Sequence, residues 1–242
     1  MNQPIHQSAN KLLASLDPQD LETLSRALTH VSLEKGALLY EPGDDIDLIY
    51  FPHDAVVSLM TLMQSGEAIE SATIGREGAV GLSAGIYPRQ SQSRVIVQVA
   101  GSAARMPAVQ LQQACQQSER LRFLIDRHAE ALYGHAIQSV ACNALHSVEA
   151  RFCRWLLCCH DRIDTDRVSL TQEFLADMLG VQRTTVTVVA RTLQAAGLIR
   201  YSRGVVDILD RRGLEAITCE CYGTVRRNYE RLLSQPFERE QV

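Results

Sequence analysis

Residues 170–199 read LTQEFLADMLGVQRTTVTVVARTLQAAGLI, and the glycine at 180 decides how they fold. Inside a helix a glycine costs about 1 kcal/mol relative to alanine. At a helix end it turns the chain cheaply, because it accepts positive φ. Counted from Gln172, small Ala176 falls fifth and Gly180 ninth; apolar Leu175, Leu179, Val181, Val186 and Val189 fall fourth, eighth, tenth, fifteenth and eighteenth. That spacing predicts two helices touching at Ala176 and burying their inner faces against each other. Ile199–Arg200 and Val205–Leu209 then alternate around Ser202-Arg203-Gly204, which predicts a β-hairpin. Two helices, a tight turn and a hairpin make a winged helix-turn-helix. Gln182, Arg183, Thr184 and Thr187 are left exposed just after the turn, all hydrogen-bonding types with no acid among them.

Around this unit the chain has 242 residues, 46% hydrophobic and 21% charged, an ordinary globular composition. No apolar run reaches the roughly 18 residues that span a bilayer. The start, MNQPIHQSANKLL, has no basic region leading into an apolar one, so the expected location is the cytoplasm, with no membrane partner. Net charge is −4, unevenly distributed: residues 1–145 hold 10 Arg/Lys against 15 Asp/Glu, and residues 146–242 hold 14 against 13. Between Met178 and Val206 there are four arginines (183, 191, 200 and 203) and no acid, a cationic surface suited to nucleic acid. The seven cysteines include no C-x-x-C, and Cys219 and Cys221, two apart, would not face one another on a helix. They are expected to be reduced, mostly buried thiols, and no metal site is expected.

Upstream, residues 12–30 carry a short helical pattern with Asp17-Pro18 opening its second piece. From Val31 to Pro107 short β-rich runs (37–40, 48–51, 55–62, 68–74 and 95–99) alternate with turn signals, which predicts an antiparallel barrel or roll. Residues 121–143 then form one long helical stretch whose Leu121, Leu124, Ile125, His128, Leu132, Ala136, Ser139 and Val140 recur at helical spacing. This stripe packs either on its own domain or on a second chain. Residues 143–146 form a joint, Ser147 caps a new helix, and residues 211–233 close the chain as a single helix. The predicted class is α+β, divided into a β-roll at 1–118, a dimerisation helix and hinge at 119–145, and the winged helix-turn-helix at 146–242.

The order of roll, long helix, joint and winged helix resembles the Crp/Fnr family of bacterial transcription regulators. LYEPGDDIDLIYFPHDAVVSL (39–59), IGREGAVGL (74–82) and residues 170–199 carry the resemblance. It implies a homodimer held by the long helices, a sensory roll with a small-molecule effector, and a second helix inserted in the major groove of double-stranded DNA. It implies RNA polymerase as a further partner. No enzymatic activity is expected, because the chain shows no nucleophile–base–orienter set and no metal-ligand spacing. Arg183 falls on the family's base-reading arginine, a residue type that pairs bidentately with guanine. Thr184 and Val188 stand where the family has an acid and a second basic reader, so the preferred half-site should differ and favour thymine methyls. With Gln182 and Thr187 these residues would read bases, while Thr171, Tyr201, Ser202 and Arg203 fit phosphate contacts.

At the sensory end, Gly75, Glu77 and Gly78 approximate the family's ribose-holding Gly-Glu turn. The phosphate-binding region reads Ser91-Gln92-Ser93-Arg94, with no arginine in register, so cyclic AMP is not expected. An iron–sulfur cluster is not expected either, since the first 114 residues contain no cysteine. No cofactor is identified. Two alternatives use other chemistry. One is a haem- or nucleotide-binding sensor, with histidines 6, 30 and 53 as haem candidates and protein contact as its output. The other is a hydrolase using Glu67, Glu70 or Glu77, carboxylates that have no partner histidine nearby in sequence.

Overall fold

The computed structural model describes residues 9–234; His6 lies outside them. Two short helices, α1 (Lys11–Ala14) and α2 (Pro18–Ser25), come first. Asp17 accepts from Gln19 N as the N-cap of α2, with Pro18 at the first helical position. The expected helical stretch to residue 30 ends earlier, because β1 (Thr29–Leu33) pairs antiparallel with β7 (Gly101–Pro107). The strands β2 (Leu38–Tyr40), β3 (Leu48–Pro52), β4 (Val56–Leu62), β5 (Ala68–Ile74) and β6 (Arg94–Val99) lie between them. Two antiparallel sheets result, ordered β1-β7-β3 and β2-β6-β4-β5, with Tyr50, Val57, Ile74, Val97 and Ala103 packed in one cluster. The expected roll is present, and β1 and β7 complete it.

The chain then turns helical through α3 (Ala108–Gln117) and α4 (Glu119–Leu145), the latter about 40 Å long at 1.5 Å per residue. Ser118 caps α4 through Leu121 N, and Ser147 caps α5 (Val148–His160) through Ala150 N. A short strand β8 (Arg167–Ser169) leads to α6 (Gln172–Leu179), α7 (Arg183–Ala195) and the hairpin β9 (Ile199–Ser202)–β10 (Val205–Ile208). β10 pairs with both β8 and β9. The closing helix expected at 211–233 is two helices, α8 (Arg211–Ile217) and α9 (Cys221–Ser234). Thr218 takes an extended conformation and breaks them apart. α9 then runs back along α4, and its Tyr229 ring meets His128 and His135 edge-on.

The buried clusters cross the three expected divisions. Val56, Met60 and Val99 of the roll share a core with Phe152, Trp155 and Leu175 of the C-terminal unit. Val225, Tyr229 and Leu232 of α9 share another with Ile49, Phe51 and Ile125. Roll and helix-turn-helix are therefore packed directly against each other.

Candidate nucleic-acid interface and effector cavity

The helix-turn-helix is built by local chemistry. Thr171 caps α6 by accepting from Phe174 N, and Gly180 ends it at φ +60, ψ +43, the left-handed conformation that a Cβ disfavours. Gln182 is the N-cap residue of α7, whose Val186, Ala190 and Leu193 are buried. Its opposite face carries Gln182, Arg183, Thr184 and Val188, all exposed, with Thr187 half-buried and its hydroxyl donating to Arg183 O at 3.1 Å. The hairpin turns at Arg203 (φ +50) and Gly204 (φ +75). Two successive positive φ values make the tight turn that matches strand twist.

An open groove of about 380 Å³ is lined by Thr171, Gln172, Arg183, Tyr201, Ser202, Arg203 and Gly204. The start of α6, the start of α7 and the hairpin meet there. Five of the eight residues expected at a nucleic-acid surface therefore line one groove. Tyr201 differs from the rest because its hydroxyl donates to Leu170 O at 3.1 Å. Phosphate oxygens only accept, so in this conformation Tyr201 pins the hairpin to the link between β8 and α6. Among the described residues, Arg183, Arg191, Arg200 and Arg203 are exposed and none is paired with a carboxylate.

A cavity of about 810 Å³ lies in the roll under α4. Its wall is apolar at Leu59, Ile74, Val80 and Leu132, and polar along Arg89–Ser93. His128 also lines it and accepts from Ala79 N at 3.2 Å. Burial, opposed by Glu77, pulls His128 down to about 4. The guanidinium on this wall is that of Arg89, which stacks on the Tyr87 ring at 4.0 Å. Arg94 turns away to Glu41, at 2.7 Å. Arg89 lies just outside the 91–94 stretch where the sequence places a phosphate contact, so the motif alone does not point to it.

Gly75, Glu77 and Gly78, expected to hold an effector, do not line this cavity. Glu77 instead pairs with Arg162 at 2.6 Å, and both side chains are buried. Arg162 also donates to Thr73 Oγ1 at 2.6 Å and Thr73 O at 3.1 Å. A Cβ at Gly75 would collide with the aliphatic stem of Arg162, so this glycine admits that arginine. Burial would push the Glu77 carboxyl up, but the charge and hydrogen bonds of Arg162 outweigh it and hold the carboxyl below its ordinary value. Glu77 thus belongs to an ion pair between the roll and the end of α5.

Other expected residues scatter. His30 and His53 lie 5.8 Å apart by ring centroid, and neither lines the 810 Å³ cavity. Glu70 is buried and accepts from Ser58 Oγ at 2.7 Å and Trp155 Nε1 at 3.4 Å. Of the α4 stripe, Leu121, Ile125, His128 and Ser139 are buried within the chain. A neighbouring face of the same helix is exposed at Tyr133, Ile137 and Val140 (69%, 52% and 72%), and Leu145 at the helix end is 80% exposed.

Comparison with known proteins agrees with this architecture. Residues 30–118 match the cyclic nucleotide-binding domain, and residues 150–217 match the Crp-like helix-turn-helix domain. The chain is similar in structure to FixK2 from Bradyrhizobium japonicum, with a TM-score of 0.67 at 16% identity over 79% of this chain and 98% of that one. It is also similar to a putative transcriptional regulator of the Crp/Fnr family from Eubacterium rectale (TM-score 0.61, 19% identity, 85% and 96% covered). The c-di-GMP-responsive global regulator CLP of Xanthomonas campestris gives 0.59 at 19% identity, with 79% and 99% covered. At these identities the likeness is one of fold. No curated protein matches the sequence.

Proposed function

The chain belongs to the Crp/Fnr family of transcription regulators, and from that premise we propose that it acts as a homodimer on a near-palindromic operator, under the control of a small effector. The observation that carries the proposal is the exposed start of α7, set in the arginine-bearing, acid-free segment. There Arg183 takes guanine O6 and N7, Gln182, Thr184 and Thr187 contact neighbouring base edges, and exposed Val188 meets a thymine methyl. Thr171, Ser202 and Arg203 hold phosphates and set the register, and Tyr201 keeps the hairpin in place for them.

The second protomer joins along Tyr133, Ile137 and Val140, spaced by four and three residues on one side of α4. Effector control follows from the cavity, whose wall includes Ile125, His128, Leu132 and Ala136 of the same helix. An occupant bears directly on the element that carries the dimer seam. RNA polymerase is the partner once the dimer sits beside a promoter.

Footprinting with the full-length protein tests the proposal. Two protected half-sites about one helical turn apart, roughly 34–36 Å, are expected. A monomer that protects a single half-site at full affinity refutes it.

A further inference from the structure

Four sulfur and nitrogen ligands converge where α4 ends and α9 begins. Cys142 lies in the last turns of α4, His146 is its C-cap, Cys219 sits in the break after α8, and Cys221 is the first residue of α9. The three thiols are buried, with Ala150 of α5 packed against them. The four ligand atoms all lie within 4.8 Å of one another. Cys142 Sγ is 3.6 Å from Cys219 Sγ, and Cys221 Sγ is 3.5 Å from His146 Nδ1. A tetrahedral zinc ion with bonds of about 2.3 Å to sulfur and about 2.0–2.1 Å to nitrogen has S···S edges near 3.8 Å and S···N edges near 3.6 Å. The two close pairs already have those lengths.

We propose that Cys142, His146, Cys219 and Cys221 form a mononuclear Cys3His site for zinc, closing the joint between the long helix and the C-terminal helix. The donors are soft thiolates and an imidazole, which suit zinc and not calcium or magnesium. Four protein ligands fill a tetrahedron, as in structural rather than catalytic zinc sites. A polynuclear iron–sulfur cluster distributes its cysteines over separate irons and needs a wider cage than this one.

The surroundings fit an occupied site. His146 Nε2 lies 3.2 Å from Glu220 Oε2, so Nε2–H can donate to the carboxylate, which leaves the Nδ1 lone pair free for the metal. Gln138 Nε2 donates to Cys221 Sγ at 3.0 Å. Three thiolates around a dication leave one negative charge. The buried guanidiniums of Arg151 and Arg154 act electrostatically on Cys142 and Cys219, and among the described residues neither Arg151 Nε nor Arg154 Nε has a hydrogen-bond partner. A buried anionic centre offsets that positive charge. The sequence signal was present as Cys142 and His146, four apart at a helix end, together with the Cys219/Cys221 pair. Residues two apart on one helix would point away from each other, but Cys219 precedes α9 and so can share a centre with Cys221.

The site stands independently of DNA binding, and metal content tests it on the full chain. Protein grown with zinc and purified without chelator should hold about one zinc per chain by elemental analysis. Cobalt added to the reduced apoprotein should give the visible bands of a tetrahedral thiolate complex. Cys142→Ser and Cys219→Ser should lose the metal, Cys115→Ser should keep it, and Glu220→Gln should weaken zinc by about 10–100-fold. Wild-type protein that takes up neither zinc nor cobalt with its thiols reduced overturns the proposal, whatever the variants do. So does metal retained in both Cys142→Ser and Cys219→Ser, or a Cys142–Cys219 disulfide in protein purified anaerobically.

Discussion

The ion pair between Glu77 and Arg162 joins the roll to the C-terminal unit, and replacing one partner should cost far more than an exposed pair would. Exposed pairs contribute about 0–1 kcal/mol. Here the side chains are 13% and 6% exposed, the charged atoms are 2.6 Å apart, and Thr73 accepts two further hydrogen bonds from the same guanidinium. Glu77→Gln leaves Arg162 charged, buried and without its carboxylate, a situation that costs about 3–5 kcal/mol. For a chain of this size each kcal/mol moves Tm by about 2–4 °C, so the expected drop is roughly 6–20 °C.

Scanning calorimetry of four proteins measures the effect: wild type, Glu77→Gln, Arg162→Met and the double variant. The double variant removes both charges and should lose less than the two single losses combined, because no unpaired ion remains. Strict additivity of the two single losses, or a single loss below about 1 kcal/mol, would refute the reasoning. The pH response follows from the same pair. The Glu77 carboxyl is held below its ordinary value, so its contribution is present above the unfolded value, near 4.3, and is lost as pH falls through the lower folded value.

Arg183→Ala should weaken operator binding by about 1–3 kcal/mol and relax preference at one base pair per half-site, whereas Arg203→Ala should weaken operator and scrambled DNA alike and lower the salt slope by about one unit per site engaged. Salt titrations on both DNAs separate the two roles, and exchanged phenotypes would reverse the assignment of helix and hairpin. Cyclic AMP should leave operator affinity unchanged, since Arg94 is held by Glu41 and the Arg89 guanidinium is stacked on Tyr87; micromolar binding by calorimetry with a matching rise in operator affinity would contradict this. The Ile137→Glu/Val140→Glu double variant should weaken self-association at least about 100-fold by sedimentation, since burying each side chain is worth about 1.5–3 kcal/mol. His128 titrates at about 4 in the folded chain against an ordinary 6.5, so the unfolded chain binds the extra proton in between. Stability should fall by up to about 3 kcal/mol as pH drops from 6.5 to 4, and denaturant titrations should show a flatter response for His128→Gln.

The helix-turn-helix was legible because its determinants are local. Gly180, Ala176 and the buried valines act within one short segment, where a periodic pattern and a turn residue are enough. The roll was legible as a class for the same reason, through turn residues spaced between short strands. β1 and β7 escaped because each is held by the other across some seventy residues, and neither has a strong alternating pattern of its own. The partner of Glu77 was not legible for a related reason. A turn resembling a ligand-binding one shows which backbone shape is needed, but not which partner arrives there, and Arg162 comes from 85 residues away. The α4 stripe shows the limit of periodicity itself. The helix has apolar residues on more than one side: Leu121, Ile125 and Ala131 pack in one core with Tyr229 and Leu232 of α9, and Tyr133, Ile137 and Val140 are left bare. A pattern at helical spacing says that a face is apolar, whereas its neighbour is decided by where the chain turns back. Here that turn is the break at Thr218, which both lays α9 on α4 and brings Cys219 and Cys221 to Cys142. One backbone feature that leaves no strong mark in the sequence therefore determines which face of the long helix remains free for a second protomer.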